Sequence, residues 1–219
     1  MNRDSPTLPT RVGHAEWGDN RFRGYSVACD LAGRESMAGL LALAIAGRRV
    51  DDNERLILDD IATIISVADP RIWLLKLVRL TSAYGGCNAG VAAITVSLEN
   101  APIGHHATGT AAELLLDMRR GLLAAGADGE DPDDRVLEEQ CRRSLADHRQ
   151  PFGFWVPFRA RDERVEMLAE RVAARGRATL PYWRLFAKIA DIFWRIDNLR
   201  PSAPVAVSAV CLDMGFTPV

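Results

Sequence analysis

Apolar residues recur at helical spacing along most of this chain, and no segment alternates apolar and polar residues over any length. Residues three and four positions apart lie on one face of a helix, so this spacing is typical of amphipathic helices. Proline and glycine separate the periodic segments, where helix ends are expected. The sequence therefore predicts an all-α fold that closes with a short apolar segment to Val219. The predicted helices cover about residues 36–46, 52–67, 70–83, 84–98, 110–123, 135–146 and 162–175, with a last one from residue 181.

The composition restricts the class of protein. With 219 residues and 48% apolar content, the chain is long enough for one large domain with a buried core. Its formal net charge of −2 gives no overall basic surface, which argues against a nucleic-acid partner. No apolar run reaches the roughly 18 residues of a membrane-spanning helix, and no basic-then-apolar leader opens the chain. We therefore expect a globular, cytoplasmic protein without a membrane partner.

The domain organisation is predicted to be simple. Residues 1–21 should form an N-terminal arm, because proline and glycine punctuate them, and residues 22–219 a single helical domain. The four cysteines are widely spaced without a CxxC pair, which favours reduced thiols that act as small apolar fillers. Four scattered histidines do not indicate a metal site, so no metal is predicted.

The segment PFGFWVPFRARDER, residues 151–164, combines aromatic side chains with a cluster of acids and bases before a predicted helix. Gly153 relaxes the backbone, while Pro151 and Pro157 fix φ and prevent a continuous helix. The sequence therefore predicts an ordered loop. Two interpretations of its aromatic residues stay open: they plug the core as a buried connection, or they form the floor of a binding site.

This loop resembles one in citrate synthases and their relatives, which has the form P-G-[FY]-G-H-x-[VL]-Y-x-x-x-D-P-R before a helix. Pro151, Asp162 and Arg164 match that pattern as they stand. Phe158 is a near match to its tyrosine. Trp155 stands where the family has a catalytic histidine.

Two segments near the ends of the chain resemble the same family in the same order. Residues 23–25, Arg-Gly-Tyr, match its R-G-Y segment. Pro201, Met214 and Gly215 keep the spacing of the family's P-N-V-D-F-Y-S-G segment and the methionine-glycine pair that follows it. In this register Pro204 occupies the position of the catalytic aspartate.

The middle of the chain can be aligned with the family motif in two ways. Residues 102–109 are similar to the family's G-P-L-H-G-G-A-N-E, which brings a catalytic histidine to the substrate. One register places His106 on that histidine, and another places Gly104 there. Asp69 is the nearest counterpart of a further family histidine in a turn between helices, and it is also a good cap for the helix that follows.

The resemblance implies a citrate synthase-like helical domain, shortened to about half of the usual chain. CoA or an acyl-CoA is implied as a co-substrate rather than a tightly bound cofactor, with a small anionic molecule as the other ligand. An arginine at the position of Arg164 binds a product carboxylate in the family; otherwise Arg164 is a surface residue at a helix start. The implied site residues are His105 and His106 for catalysis, Arg164, Trp155, Phe158 and Asp69 for substrate binding, and Phe154 and Val156 for acyl-CoA.

The chain is also predicted to form a homodimer. Small residues between Tyr84 and Leu98 let helices approach closely, so we expect this segment to be buried on most sides. It and the helix after His106 should lie near the subunit contact, as the family resemblance implies. Symmetric dimers are also the commonest oligomers.

Citrate synthase chemistry needs one group to take a proton from acetyl-CoA, a second to stabilise the enol and a third to polarise the acceptor ketone. Trp155 and Pro204 cannot exchange protons, so ordinary citrate synthase activity is not expected. Three interpretations stay open: an acyl-CoA-dependent acyltransferase or lyase of altered chemistry, a pseudoenzyme that binds a ligand or partner, and a purely structural helical oligomer.

Overall fold

The structure is a computed structural model, which describes residues 10–15, 17–67, 73–100, 106–127, 133–147, 151–156 and 159–218. Helices make up most of this described chain, so the predicted all-α class is confirmed. Three strands and a π-helical turn come first, namely β1 (Gly13–Ala15), β2 (Asn20–Phe22), β3 (Tyr25–Ser26) and the turn Val27–Leu31. The helices are α1 (Met37–Ala46), α2 (Asp52–Ile64), α3 (Trp73–Asn100), α4 (His106–Ala124), α5 (Asp134–Asp147), α6 (Glu163–Ala174), α7 (Pro181–Asp197) and α8 (Ala203–Asp213).

The strands form an antiparallel sheet in the order β1-β2-β3. Phe22 pairs with Tyr25, so Arg23 and Gly24 make a two-residue connection between β2 and β3. Both have positive φ, 49° and 86°, which suits the tight turn between twisted strands. The predicted N-terminal arm therefore contributes a strand, Gly13–Ala15, that the sequence analysis missed, because three residues are too short to show alternation.

Helix α1 has the predicted bounds, and its ends explain them. Ser36 Oγ accepts a hydrogen bond of 3.0 Å from the Gly39 N–H, which satisfies a free donor of the first turn. Gly47 ends the helix with φ of 71°, in the left-handed region that glycine adopts freely. Arg23 Nε donates to the Ala44 carbonyl at 3.0 Å, so the hairpin turn holds the last turn of α1.

Asp51 and Glu54 start α2 with a reciprocal capping box. The Glu54 N–H donates to Asp51 Oδ1 at 2.7 Å, and the Asp51 N–H donates to Glu54 Oε2 at 3.1 Å. Asp51 is thus the N-cap of α2. The chain divides into two compact units between Asp59 and Asp60, inside this helix. The expected arm of residues 1–21 and single domain of residues 22–219 stay predictions.

Helix α3 is interrupted at Gly86, whose φ of 77° and ψ of 179° lie outside the helical region. The sequence predicts two helices here, and the interruption separates two helical halves. A Cβ atom on Gly90 would lie 1.9 Å from Ser82 Oγ, so the halves contact each other closely at this glycine. Tyr84 is 92% exposed and Val91 is 58% exposed, so the predicted burial on most sides is wrong for the single chain.

The core of the second unit is formed by α4, α5, α6, α7 and α8, with α8 packed against α4, α6 and α7. The predicted helix from Pro181 is confirmed as α7, and its apolar face is buried. Helix α8 was predicted only as a short apolar segment. Its buried residues are Ala203, Val205, Ala206, Ser208, Ala209, Val210 and Leu212.

The start of α7 is capped from the far end of α8. Leu180, which precedes Pro181, provides no side-chain cap. Asp213 instead accepts hydrogen bonds from the N–H groups of Tyr182 and Trp183 at 2.8 and 2.9 Å. Burial raises the pKa of Asp213, and these two hydrogen bonds offset only part of that effect.

The four cysteines all lie in the described ranges and are free thiols. Burial raises the pKa of Cys141 to about 12 and that of Cys211 to about 11, so both stay protonated at neutral pH. Cys141 fills the core as predicted, whereas Cys29 and Cys87 are exposed and do not act as fillers.

Candidate functional site

The aromatic loop, residues 151–156, lies across the beginnings of α4 and α8. Gly153 has φ of +87°, and a Cβ atom there would lie 2.5 Å from Val205 Cβ and 3.4 Å from Ala111 Cβ. Only glycine permits both this backbone conformation and this approach. The Gly153 carbonyl accepts hydrogen bonds from the backbone N–H and the hydroxyl of Ser202, at 2.7 and 3.0 Å. These contacts fix the loop against both helices.

The aromatic side chains of this loop differ in exposure. Phe154 is fully buried, and its ring centroid lies 4.6 Å from that of Phe193 on α7. Phe152 and Trp155 are 43% and 48% exposed. Phe154 therefore plugs the core, as one interpretation of the loop expected, while Phe152 and Trp155 keep open aromatic surface and a binding floor stays a prediction.

Asp162 joins the start of α6 to the start of α8. Its Oδ1 accepts from Arg164 Nε at 2.7 Å, and its Oδ2 accepts from Arg164 Nη2 at 2.7 Å. The same Oδ2 accepts from the Ala203 N–H at 2.8 Å, and Oδ1 accepts from the Arg164 N–H at 3.2 Å. The Asp162 side chain is 3% exposed and that of Arg164 is 35% exposed. One buried carboxylate thus caps two helices and holds a partly open arginine.

Both members of this pair are charged at neutral pH. Burial by itself would raise the pKa of Asp162, but the hydrogen bonds from Arg164 and Ala203 outweigh it and hold the pKa below its ordinary value. The hydrogen bond to Asp162 raises the pKa of Arg164. The contact is therefore a bidentate, charge-assisted pair.

Helix α4 meets the same place through Ser208 of α8. The Ser208 hydroxyl lies 2.7 Å from the Thr108 carbonyl and 2.8 Å from the Pro204 carbonyl, and it can donate to either. His106 begins α4, two residues before Thr108. The beginning of α4, the aromatic loop and the beginning of α8 therefore converge, as the family resemblance implied for its three catalytic segments.

Only part of the predicted site falls within the described residues. Asp69, His105 and Phe158 lie outside them, and His106 is described in its backbone alone. Phe154 is fully buried, main chain and ring alike, and presents no surface to a ligand in this structure. The roles assigned to these residues stay predictions.

The other predicted site residues have some open surface. Val156 and Trp155 are partly exposed, and Arg164 is held by Asp162 rather than lying freely on the surface. Pro204 lies in the first turn of α8, where a proline is well tolerated. The predicted roles of Trp155, Val156 and Arg164 in binding also stay predictions.

Sequence reasoning matched Asp162 to the family pattern but predicted no role for it. Its contact with Arg164 spans two residues, whereas its contact with Ala203 spans 41 residues. The short-range pair could have been found from the D-x-R spacing before a helix, because an aspartate cap faces the first turn. The long-range contact depends on where α8 lies.

No protein-family profile matches the sequence, and no curated protein matches it either. Solved structures do match. The structure of citryl-CoA lyase from Hydrogenobacter thermophilus has a TM-score of 0.76 with this chain at 16% identity, covering 96% of this chain and 78% of the lyase. This chain has the citrate synthase-like fold.

A second solved structure supports the same fold. ATP citrate lyase from Methanothrix soehngenii, in complex with citrate and coenzyme A, gives a TM-score of 0.74 at 12% identity. The match covers 98% of this chain and 33% of that protein. The citrate synthase-like fold expected from scattered motifs is thus confirmed in a shortened form.

The described part of this citrate synthase-like chain offers a defined set of groups. It contains no cluster of three or more His, Cys, Asp or Glu side chains placed to hold a metal ion, and no helix long and apolar enough to cross a membrane. Asp162 holds the Arg164 guanidinium and also contacts the start of α8, while the loop packed against α8 carries the partly exposed Phe152 and Trp155. A partly exposed guanidinium is a group that can bind an anion through charge-assisted hydrogen bonds.

Proposed function

We propose that this protein is a divergent acyl-CoA-dependent enzyme that forms or cleaves a carbon–carbon bond, of the acyltransferase or lyase type. The observation that supports it most is the convergence of three segments, the start of α4, the aromatic loop and the start of α8. Gly153 contacts Val205 and Ala111, and Ser208 contacts Thr108. Segments far apart in sequence are thus held together by close contacts, as a site that positions two substrates requires.

Arg164 is the proposed binding group for a carboxylate of the small anionic substrate. Its pair with Asp162 uses two N–H groups, and the side chain keeps 35% of its surface exposed. A guanidinium carries five N–H donors, so donors remain for a second carboxylate. Asp162 and the ligand can therefore share one arginine.

The acyl-CoA is proposed to lie along the aromatic loop. Trp155 and Phe152 offer aromatic surface that is about half open, 48% and 43% exposed, which suits the adenine ring or the apolar part of the acyl chain. Phe154 anchors this surface by packing on Phe193. CoA is then a co-substrate that enters and leaves, rather than a resident cofactor.

Proton transfer is proposed for His106, with His105 beside it. Cleavage of a 3-hydroxyacyl thioester needs a base that takes the hydroxyl proton and an acid that returns a proton to the enolate formed from the acyl group. Trp155 and Pro204 supply neither group, so the reaction must rely on histidine at the start of α4. This difference is the altered chemistry of the proposal.

A second candidate is a pseudoenzyme that binds the same ligands without turnover. The replacement of two proton-transfer positions by Trp155 and Pro204 favours it, because each such loss costs on the order of 10²- to 10⁴-fold in rate. It shares the ligand site with the first candidate. Turnover alone separates the two.

The proposed assembly is a homodimer in the cytoplasm. Helix α3 leaves Leu80, Tyr84 and Val91 57%, 92% and 58% exposed, although large apolar side chains gain free energy by burial. A second copy packed on this face would cover them. This proposed subunit contact involves residues 85–98, the segment whose small residues led to the prediction of a dimer.

The test combines binding and turnover. CoA, acetyl-CoA and citrate are titrated calorimetrically into the wild-type protein, citryl-CoA is assayed for conversion to acetyl-CoA, and acetyl-CoA with oxaloacetate is assayed for thiol release. We expect CoA and citrate to bind, and Arg164→Ala to weaken citrate but not CoA. Arg161→Ala is the matched control, because Arg161 lies just before the same helix and pairs with Glu166 on the surface.

Each outcome selects one candidate. Turnover that falls by about 10²-fold or more in His106→Ala supports the enzyme. Binding without turnover selects the pseudoenzyme. If neither CoA nor citrate binds, both candidates are rejected and the purely structural oligomer remains.

A further inference from the structure

The Arg164 guanidinium is held from one side. Asp162 accepts hydrogen bonds from Arg164 Nε and Nη2, at 2.7 Å each. These two groups form the side edge of the planar guanidinium. The Nη1 group and the second N–H of Nη2 form the outer edge, and no other hydrogen bond to this side chain occurs among the described residues. A planar guanidinium fixed on one edge presents its other edge in a fixed direction.

The same carboxylate occupies the N-terminus of α8. Ser202, the cap residue of α8, makes no side-chain cap hydrogen bond. The Ala203 N–H donates to Asp162 Oδ2 at 2.8 Å instead. A helix N-terminus favours an anion, and here the protein supplies that anion from α6. Asp162 thus neutralises two positive groups that would otherwise attract a ligand.

We infer that Asp162 is a positioning residue, which fills the inner edge of Arg164 and the α8 N-terminus so that a ligand carboxylate can bind only at the outer edge of Arg164. The identity of that ligand rests on the proposed function. Because Asp162 also contacts α8, the direction of the Arg164 side chain depends on the position of α8. The first turn of α8 contains Pro204. The next residue, Val205, lies against Gly153 of the aromatic loop.

A first experiment tests the positioning contacts without any substrate. Asp162→Ala removes the carboxylate and leaves space between Arg164 and the α8 N-terminus. Formate at constant ionic strength should then raise the thermal unfolding midpoint of Asp162→Ala clearly more than that of the wild type or of Asp162→Asn, in which a side chain fills this space and only the outer edge of Arg164 is open. Chloride at the same ionic strength is the control. An equal response of all three proteins to formate would overturn the inference.

If Asp162→Ala does not fold, NMR of the wild type and of Asp162→Asn tests the same contacts. The Arg164 Nε–H should give a separate, slowly exchanging NMR signal in the wild type, assigned by its loss in Arg164→Lys. In Asp162→Asn this signal should exchange rapidly, because the bidentate contact is broken. An unchanged signal in Asp162→Asn contradicts the inference.

A second experiment tests the consequence for the ligand. Citrate and CoA are titrated into the wild type and Asp162→Asn at a temperature where both are folded. Citrate affinity should fall about tenfold or more in Asp162→Asn, since a charge-assisted hydrogen bond orients Arg164, and CoA affinity should be unchanged. Equal citrate affinity in both proteins would show that Asp162 does not position Arg164. Absence of citrate and CoA binding in the wild type rejects the proposed function, while the formate and NMR results still decide the role of Asp162.

Discussion

Helices α3 and α8 are similar in sequence and opposite in environment. Both are rich in small and apolar residues and have little amphipathic character. Yet Val205, Ala206 and Ala209 of α8 are fully buried, whereas Tyr84 and Val91 of α3 are 92% and 58% exposed. A helix that is apolar all round is expected to be buried. The difference shows that an apolar pattern alone does not decide whether a helix is buried within its own chain.

The neighbours of the two helices account for the difference. Helix α8 packs against α4, α6 and α7 of its own chain, and its small residues allow these helices to approach. The small residues of α3 let its own two halves meet at Gly90. Its larger side chains Leu80, Tyr84 and Val91 stay exposed. The proposed homodimer would give α3 the burial that α8 finds within one chain.

The largest difference in the free energy of unfolding should come from placing a carboxylate on α8 and, separately, on α3. Ala209→Asp buries an unpaired carboxylate in the core, which should cost more than about 4 kcal/mol and leave the chain unfolded. Val91→Asp places the carboxylate on the open face and should change the stability of the monomer by no more than about 0.5 kcal/mol. Circular dichroism with urea unfolding measures both. Equal losses in the two variants would mean that α3 is as buried as α8.

The next largest difference in stability should come from replacing two closely packed glycines, Gly153 and Gly90, by alanine. Gly153→Ala adds a Cβ at 2.5 Å from Val205 Cβ on α8, in a residue with φ of +87°. Backbone strain and overpacking should together cost about 2–4 kcal/mol. Gly90→Ala meets Ser82 Oγ, which can rotate away, so its cost should stay near or below about 1 kcal/mol. A Gly153→Ala protein as stable as Gly90→Ala would show that the loop does not press on α8.

A smaller effect depends on pH through the charge at the α8 N-terminus. Folding lowers the pKa of Asp162, so the stability it contributes is complete above its unfolded pKa, about 3.9, and is lost as the pH falls through the folded value. The free energy of unfolding of the wild type should therefore exceed that of Asp162→Asn most at pH 6–7, and the difference should shrink below about pH 4.

Asp213 provides a control of opposite sign at the other end of α8. Its pKa is raised, so the stability that it contributes is present below its unfolded pKa and is lost as the pH rises through the folded value. Relative to Asp213→Asn, the wild type should lose stability as the pH rises from about 4. Urea unfolding at a series of pH values measures both differences. Parallel pH trends for the two pairs would contradict these assignments.

The smallest effect on folding should come with a change of assembly. Tyr84→Asp alters a side chain that is 92% exposed, so the stability of the single chain should change by no more than about 0.5 kcal/mol. Light scattering at micromolar protein should show the wild type as a dimer and Tyr84→Asp as a monomer, because a carboxylate resists burial at an interface. Met37→Asp, on the exposed surface of α1, is the matched control and should remain a dimer. A monomeric wild type would count against the proposed assembly.

Much of the fold was predictable because it depends on residues close in sequence. Ser36 and Gly47 set the ends of α1, and Asp51 with Glu54 starts α2. The aromatic loop was predicted from its prolines and glycine, and it is non-helical where it is described. These features involve contacts across a few residues, which local patterns record directly.

The candidate site was predictable only in outline. Matches at Arg164 and at Pro201 indicated the segments that would meet. However, Phe154 was predicted to contact a ligand, and no role was predicted for Asp162. The structure places the Phe154 ring against Phe193 and makes Asp162 the link between α6 and α8. Neither partner could be inferred, because each lies about 40 residues away in the chain.

The sequence by itself determined the helical class, most helix bounds and the order of the motifs, since these follow from spacing, caps and turn residues along the chain. The tertiary structure alone decided that α8 lies in the core, that α3 keeps an open face and that Asp213 caps α7 across 31 residues. The physical reason is that an apolar helix gains free energy from any surface that excludes water, and a buried carboxylate from any donor within reach. Which surface and which donor are available depends on the packing of the whole chain.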